Sequence, residues 1–232
     1  MQPPSLVQHR SQRAHHRSPS SPPAFVFTRR YYADVVRPLL DELVPGLAHS
    51  AALIGWGSDV LGFDSARSTD HNWGPRCQVF VGTGDAGWIA DVTMMLASKL
   101  PGTFLGWPTR YPDGTAAGAG ARHWVEVTER GGWFIGELGF DPSRGVSVLD
   151  WLATPTQKLA EVTGGAVFHD GLGPGLLQAA RAALAWYPHD IWRYLLACQW
   201  QRIGQEEAFP DDALRPAMCS AQRSSRPGWP VI

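Results

Sequence analysis

The spacing of apolar residues predicts a mixture of helices and short strands in the first two thirds of the chain. Between Tyr31 and Leu43, apolar residues recur three and four positions apart and predict an amphipathic helix, with Thr28 as its N-cap and a kink at Pro38. A second amphipathic helix is expected from Asp85 to Leu100. These helices each have an apolar side, which must be buried against another layer.

Three segments have the composition of buried strands. They are residues 51–54, a stretch that carries Asp70 and Asn72 and resumes at residues 77–81 after a break, and residues 123–128. The Gly- and Pro-rich residues 103–121 predict a long loop. The expected fold class is α+β, with a mixed sheet flanked by helices.

The pattern becomes purely helical from Val146 onward. Helices are expected over residues 148–159, 175–186 and 189–208, and the last two are interpreted as part of a helical bundle. The expected organisation is a disordered arm at 1–24, a core at 25–145, a partial helical domain at 146–209 and an irregular tail at 210–232.

The composition narrows the classes of function. Lys and Arg total 20 against 21 Asp and Glu, so no broad positive field exists and a small substrate is favoured over a nucleic acid. Three cysteines without CxxC spacing indicate neither a disulfide framework nor a zinc site, which fits a reducing cytoplasm. No apolar run approaches the ~20 residues that cross a membrane. Eleven tryptophans predict a core or a substrate cleft rich in large rings.

A small-residue turn and two later carboxylates carry the candidate chemistry. Gly57 and Ser58 follow the first strand, and such a turn can offer backbone N–H groups and a hydroxyl to phosphate oxygens. Asp70 and Asn72 share one face of their strand and can reach the same divalent cation. Glu126 joins them if its strand lies beside theirs, because it stands alone between two valines.

These positions give three sets of candidate site residues. The catalytic candidates are Asp70 and Glu126, the nucleotide-binding candidates are Gly57 and Ser58, and the candidate Mg²⁺ ligands are Asp70, Asn72 and Glu126.

Each of these residues also has an ordinary structural interpretation. Gly-Ser pairs are common in turns, and Glu126 can equally be an exposed residue of an edge strand. Glu129, Glu137 and Asp141 are rivals for the role of third acid, and His71 is typical of a packing or hydrogen-bonding residue. The order of the features along the chain is what favours a functional site.

Two strings, Gly57 to Asp64 and Ser68 to Arg76, carry a resemblance to a known family. They resemble an uncharacterised bacterial family, a domain of unknown function within the DNA polymerase beta-like nucleotidyltransferase superfamily, and the layout is similar to that of kanamycin nucleotidyltransferase. Further similar strings lie at residues 138–142, 150–152, 167–170 and 192–197, and extend the resemblance over roughly residues 28–209.

The resemblance implies a nucleotidyltransferase-like sheet and a role for each candidate residue. Ser58 would contact nucleotide phosphate, Asp70 would bind magnesium and Glu126 would be the general base. Asn72 departs from this pattern, because asparagine offers one neutral oxygen where the metal site needs a carboxylate. The resemblance implies that relatives continue into further helices, whereas the helical pattern of this chain stops after Phe209, as a truncation or frameshift would produce. The helical face left uncovered predicts either a homodimer or an unstable fold.

Two hypotheses follow from these observations. The first is a magnesium-dependent enzyme, weakened by Asn72, that transfers a nucleoside monophosphate from a nucleoside triphosphate to a small-molecule acceptor. The second is a catalytically inactive nucleotide-binding or interaction module derived from such an enzyme. A metal-dependent hydrolase is a distant third, because the chain has no HExxH motif.

Overall fold

The computed structural model describes residues 24–63, 74–111, 122–173 and 175–206. The strands are β1 (His49–Leu53), β2 (Cys77–Val81), β3 (Thr103–Phe104), β4 (Trp107–Pro108), β5 (Arg110–Tyr111), β6 (Arg122–His123), β7 (Val125–Glu129) and β8 (Ala166–Asp170). The α-helices are α1 (Ala24–Tyr31), α2 (Arg37–Leu43), α3 (Ile89–Lys99), α4 (Arg130–Leu138), α5 (Val148–Ala153), α6 (Thr156–Thr163), α7 (Leu176–Leu184) and α8 (His189–Glu206).

Four of these strands form a mixed sheet in the order β7-β2-β1-β8. β1 is antiparallel to both of its neighbours, β2 and β8, whereas β2 and β7 run parallel. A parallel pair needs a crossover connection, and α3 lies within the one that joins β2 to β7. The α+β class and the mixed sheet flanked by helices are therefore confirmed.

One face of this sheet is covered by the N-terminal helices and by α3. The apolar cluster between these layers contains Tyr31, Tyr32, Val36, Leu40, Ala51, Cys77, Val79, Val92, Met95, Leu96, Leu100, Val125 and Val127. Because successive residues of a strand point to opposite faces, Gln78 and Glu126 lie on the other face. α4 packs on that side, where the Trp133 ring meets the Phe80 ring edge-on at 5.3 Å.

The N-terminal helical segment differs from its predicted start. Thr28 is a buried residue inside α1 and is not the N-cap. A π-helix, Tyr32–Val36, separates α1 from α2, and the N–H of Arg37 bonds the carbonyl of Tyr32 five residues back. Pro38 follows directly, in the first turn of α2. The sequence predicted a kink at Pro38, which has no N–H to donate. The structure has a widened helical turn directly before this proline.

The second predicted helix also begins later than its sequence pattern indicated. A 3₁₀-helix, Thr83–Trp88, precedes α3, so Asp85 lies within the 3₁₀-helix and is not the cap of α3. In the predicted loop after α3, two short antiparallel ladders pair β3 with β4 and β5 with β6. Residues 112–121 of that loop lie outside the described residues.

The segment predicted as one helix over residues 148–159 is divided into α5 and α6. Thr154 between them is extended, with φ −82° and ψ 123°, because Pro155 sterically disfavours a helical residue before it. β8 and α4 were not predicted. β8 completes the sheet beside β1, and α4 has two glycines directly after its first residue, which lower its helical signal.

The chain divides into two compact units, one through Trp186 and one from Tyr187 onward. In the first unit, β8 belongs to the sheet and α7 contacts α6 and β8. The second unit contains α8, on which Trp192, Tyr194, Trp200 and Ile203 are exposed. Among the described helices, none is long and apolar enough to cross a membrane. The predicted arm, apart from Ala24, and the predicted tail lie outside the described residues.

Candidate functional site

Glu126 is positioned by the alternation of β7. Val125 and Val127 are buried against the core, so the side chain between them projects from the opposite face and is exposed. Parallel pairing places Glu126 in register with Gln78 of β2. Glu126 is therefore an exposed residue of an edge strand, β7, and it lies beside the Gln78 amide of β2.

The Gln78 side chain links β2 to the end of β1. Gln78 is buried, and its Nε2 donates to the carbonyl of Ile54 at 3.1 Å, while its Oε1 accepts from the Ile54 N–H at 3.2 Å. Ile54 is the first residue after β1, where the backbone leaves the ladder. The amide of Gln78 thus takes the place of a neighbouring strand and fixes the point at which the next turn begins.

The predicted Gly-Ser turn starts at that point. Gly55 and Gly57 both have positive φ, +83° and +130°, which glycine adopts without steric cost. The carbonyl of Ser58 accepts from the N–H of Phe63 at 2.8 Å, and the Ser58 residue is exposed. The turn therefore closes on its own backbone and leaves Ser58 open to solvent.

A buried ion pair between Arg76 and Asp59 packs against the turn. The guanidinium of Arg76 bonds the Asp59 carboxylate, and both side chains are more than nine-tenths buried. Arg76 Nη1 also donates to the carbonyl of Trp56 at 2.8 Å, and its guanidinium carbon lies 4.3 Å from the centre of the Trp56 ring. Because a lone buried charge is very costly, each partner depends on the other.

Trp56, from the turn, and Glu126 line one cavity. The cavity has a volume of about 360 Å³ and is lined by Trp56, Arg76, Gln78, Arg122, His123, Trp124 and Glu126. Trp124 lies between β6 and β7, two positions before Glu126, and both side chains line the cavity. Arg122 is exposed and makes no ion pair with another described residue. A ligand in this cavity would therefore meet aromatic walls, a carboxylate and two guanidinium groups.

The Glu126 carboxylate is a stronger base than an ordinary one. Although the residue as a whole is exposed, desolvation raises the pKa of its carboxyl, and the nearby Glu137 charge raises it further. Hydrogen bonds from Gln78 and Trp133 lower the pKa and offset part of this rise. The net shift is upward, so Glu126 holds a proton more readily than a solvated glutamate does.

The three rival acids are each engaged in a structural interaction. Glu129 caps α4, accepting from the N–H groups of Gly131 at 2.9 Å and Gly132 at 2.5 Å. Partial burial alone would raise the pKa of Glu129, but these bonds outweigh it and the pKa is lowered.

The other two rivals are held in ion pairs. Asp141 pairs with Arg130 at 3.5 Å and caps the short 3₁₀-helix at Pro142–Arg144, and Glu137 pairs with Lys158 at 2.7 Å. Of the four acids considered, Glu126 is therefore the one that lines the cavity.

Of the predicted site residues that the structure describes, Glu126 lines the cavity, whereas Gly57 and Ser58 are not among its lining residues. Gly57 and Ser58 form the turn beside Trp56, and Glu126 lines the cavity that Trp56 also lines. Asp70 and Asn72 lie outside the described residues. Within the part of the chain that the structure describes, no three His, Cys, Asp or Glu residues are grouped to hold a metal ion.

Sequence reasoning missed Gln78, Arg76 and Trp56. One signal was available for each. Gln78 is a polar residue inside an otherwise apolar strand, Arg76 is a charge immediately before that strand, and Trp56 is a large ring between two glycines. A polar group that becomes buried must find a partner, so the first two positions predict specific contacts even though the sequence does not identify the partner.

The C-terminal part of the chain matches a known family model. Residues 151–218 match the model described as Domain of unknown function (DUF4037). This match supports an uncharacterised domain-of-unknown-function family for the segment that begins with α5. No curated protein and no solved structure matches the chain.

Proposed function

We propose that this chain transfers a nucleoside monophosphate from a nucleoside triphosphate to a small-molecule acceptor, with Mg²⁺ as cofactor. One observation carries the proposal: the wall of a single cavity contains both Trp56, in the Gly55–Gly57 turn after β1, and Glu126, from β7 two strands away. A phosphate-binding turn and a basic carboxylate are the two parts that nucleotidyl transfer requires in one place. A nucleotidyltransferase-like sheet is part of the same proposal.

The residues of the turn contact the triphosphate in this proposal. Gly57 allows the turn its positive φ, and Ser58 is an exposed residue with a hydroxyl. The exposed Arg122 guanidinium at the cavity adds a positive charge that can pair with a phosphate oxygen. Arg76 contributes less charge, because Asp59 neutralises it.

Mg²⁺ fits the character of the Glu126 carboxylate. The raised pKa of Glu126 means that its ionised form is unfavourable without a neighbouring positive charge. A cation bound beside the carboxylate would supply that charge, and the two would stabilise each other. Asp70, Asn72 and Glu126 would hold the ion, and the ion would neutralise charge on the phosphates.

Glu126 acts as the general base in this proposal. The oxygen of an acceptor hydroxyl bonds to the α-phosphorus, the bond from that phosphorus to the β-bridging oxygen breaks, and pyrophosphate leaves with the electron pair. The hydroxyl proton passes to the Glu126 carboxylate. The raised pKa belongs to the carboxyl without a bound cation, and Mg²⁺ at this carboxylate would lower it.

Substitution of Glu126 tests the proposal. Pyrophosphate release is measured with each of the four nucleoside triphosphates, Mg²⁺ and a panel of hydroxyl and amine acceptors. Glu126→Gln is expected to lower kcat by about 100-fold or more with unchanged thermal stability. The matched control is Glu129→Gln on the same strand, which weakens the cap of α4 and is expected to lower stability while kcat is kept. Equal kcat for Glu126→Gln and the unmodified protein would reject the assigned base.

The inactive nucleotide-binding module remains the second candidate, and Asn72 is the residue that favours it. Asn72→Asp restores a carboxylate and is expected to raise magnesium-dependent transfer if the chain is a weakened enzyme. Nucleotide binding without pyrophosphate release in either form would support the inactive module. Absence of nucleotide binding in both forms would reject both candidates.

A homodimer is also proposed, and the exposed aromatic side chains of α8 support it. Trp200 is 69% exposed and Trp192 is 48% exposed, which is unusual for rings of this size. Light scattering over a range of protein concentrations measures the mass of the particle. Trp200→Glu is expected to leave a monomer if this face forms the interface, and a monomeric unmodified protein would reject the proposal.

A further inference from the structure

Trp56 is held at the edge of the cavity with a large part of its surface uncovered. It is 49% exposed, and it lines the cavity that contains Glu126. Isolated exposed aromatic residues are common on protein surfaces, so exposure by itself indicates no ligand. The contacts that fix this ring are what distinguish it.

The Arg76 guanidinium fixes the Trp56 residue at two points. Its central carbon lies 4.3 Å from the ring centroid, and its Nη1 donates to the Trp56 carbonyl at 2.8 Å. Arg76 is itself immobilised by burial and by its ion pair with Asp59. The guanidinium covers one face of the indole, and the exposed surface of the ring is presented in a single orientation.

The backbone on both sides of Trp56 admits only glycine. Gly55 and Gly57 have positive φ, and a Cβ at position 57 would clash with Arg76 Nη2 and with Asp59 Oδ1. A Cβ at position 55 would lie 3.3 Å from the Trp133 ring, the residue that also bonds the Glu126 carboxylate. The conformation that presents Trp56 is thus tied to the groups that position the proposed base.

We infer that the uncovered face of Trp56 stacks against the nucleobase of the bound nucleoside triphosphate. This inference rests on the proposed function and names the part of the substrate that the ring recognises. A planar ring on Trp56 would form a three-layer stack with the indole and the Arg76 guanidinium, and Arg122 would remain available to the phosphates. Because every base has a π-face, this contact discriminates weakly among the four bases.

Calorimetric titration of the full chain in the presence of Mg²⁺ tests the inference. The ligands are the four nucleoside triphosphates and inorganic tripolyphosphate, which has the phosphates without a base. Trp56→Ala is expected to lower the affinity for each nucleoside triphosphate by about 10- to 100-fold and to leave the affinity for tripolyphosphate unchanged. Trp56→Phe keeps an aromatic face and is expected to retain most of the affinity. The control is Trp88→Ala, because Trp88 is 42% exposed and does not line this cavity.

The possible results separate this inference from the function on which it rests. If the unmodified protein binds nucleoside triphosphates and Trp56→Ala binds them equally well, the stacking role is overturned and the proposed function stands. If Trp56→Ala lowers the affinity for tripolyphosphate as much as the affinity for the nucleotides, Trp56 supports the turn and does not contact the base. If the unmodified protein binds no nucleoside triphosphate, the proposed function itself fails. Thermal melting of each variant verifies that it is folded.

Discussion

The Gln78 amide bonds both the N–H and the C=O of Ile54, at 3.2 and 3.1 Å, while its own strand places it in register with Glu126. One buried side chain therefore joins the end of β1, from which the turn departs, to the strand that carries the proposed base. The turn and the carboxylate are linked through this amide, so a substitution at Gln78 would alter the surroundings of both.

Gln78→Met is expected to destabilise the fold by about 2 kcal/mol. The substitution keeps most of the volume but leaves two buried backbone groups of Ile54 without their partner, and an unsatisfied buried group typically costs ~1–3 kcal/mol. The free energy of unfolding in urea measures the effect. Gln201→Met is the control, because Gln201 is exposed on α8, and an equal loss in both variants would contradict the specific role of Gln78.

Asp170→Ala is expected to lower the free energy of unfolding by about 2 kcal/mol. Asp170 accepts from the N–H groups of Leu177 at 3.3 Å and Gln178 at 3.0 Å, and it also accepts from the Ser50 hydroxyl at 2.7 Å. It supplies the cap that Gly175, the residue before α7, cannot supply because glycine has no side chain.

The same urea measurement checks this prediction. Asp190→Ala removes a side chain that is 96% exposed in the first turn of α8 and is expected to change stability by less than ~0.5 kcal/mol. If both aspartate variants unfold at the same urea concentration, Asp170 does not anchor α7.

Acidification from pH 7.5 to 5.5 is expected to destabilise the fold through His49. Its Nδ1 donates to the Leu47 carbonyl at 2.9 Å, so in the neutral ring Nε2 accepts from the Tyr32 hydroxyl at 2.8 Å. Burial lowers the pKa of His49, and the His169 ring, with its centroid 4.8 Å away, and the charge of Arg37 lower it further. The Leu47 bond and the Asp41 charge oppose this shift without reversing it.

The sign of the pH effect follows from that lowered pKa. The unfolded chain binds the proton near pH ~6.5, before the folded protein does, so stability is complete above that pH and falls as the pH drops below it. The loss is at most ~1.4 kcal/mol per pH unit for one histidine.

Urea unfolding of the unmodified protein and of His49→Gln, each at both pH values, measures this contribution. The pKa values of His123 and His169 are also lowered, chiefly by burial, so the variant is expected to keep part of the pH dependence. An identical pH dependence in both proteins would show that His49 does not contribute.

The elements with strong local patterns could be predicted from the sequence. β2 and β7 have the composition of buried strands, and α3 has one continuous apolar side. β8 and α4 were missed for opposite reasons. β8 is only partly buried along its whole length, so it lacks the apolar signal of the other strands. α4 has two glycines directly after its first residue, and their low helix propensity is outweighed by the packing of Trp133 and by the Glu129 cap.

The candidate site could be predicted only in part. Gly57, Ser58 and Glu126 were proposed from small residues in a turn and from an acid between valines, and of these Glu126 lines the cavity. The choice among four carboxylates was open, because the sequence does not show which group each charged residue will contact in the folded protein. The contacts of Glu129 with α4, of Asp141 with Arg130 and of Glu137 with Lys158 distinguish these acids from Glu126.

The sequence by itself determined the elements whose stability depends on local spacing: the apolar sides of the helices and the alternation that turns Glu126 away from the core. Only the tertiary structure decided what that carboxylate faces. Ile54, Gln78 and Glu126 are far apart along the chain and meet because strand pairing aligns them. Register is set by burial on both faces of the sheet, a property of the assembled layers that no single segment contains.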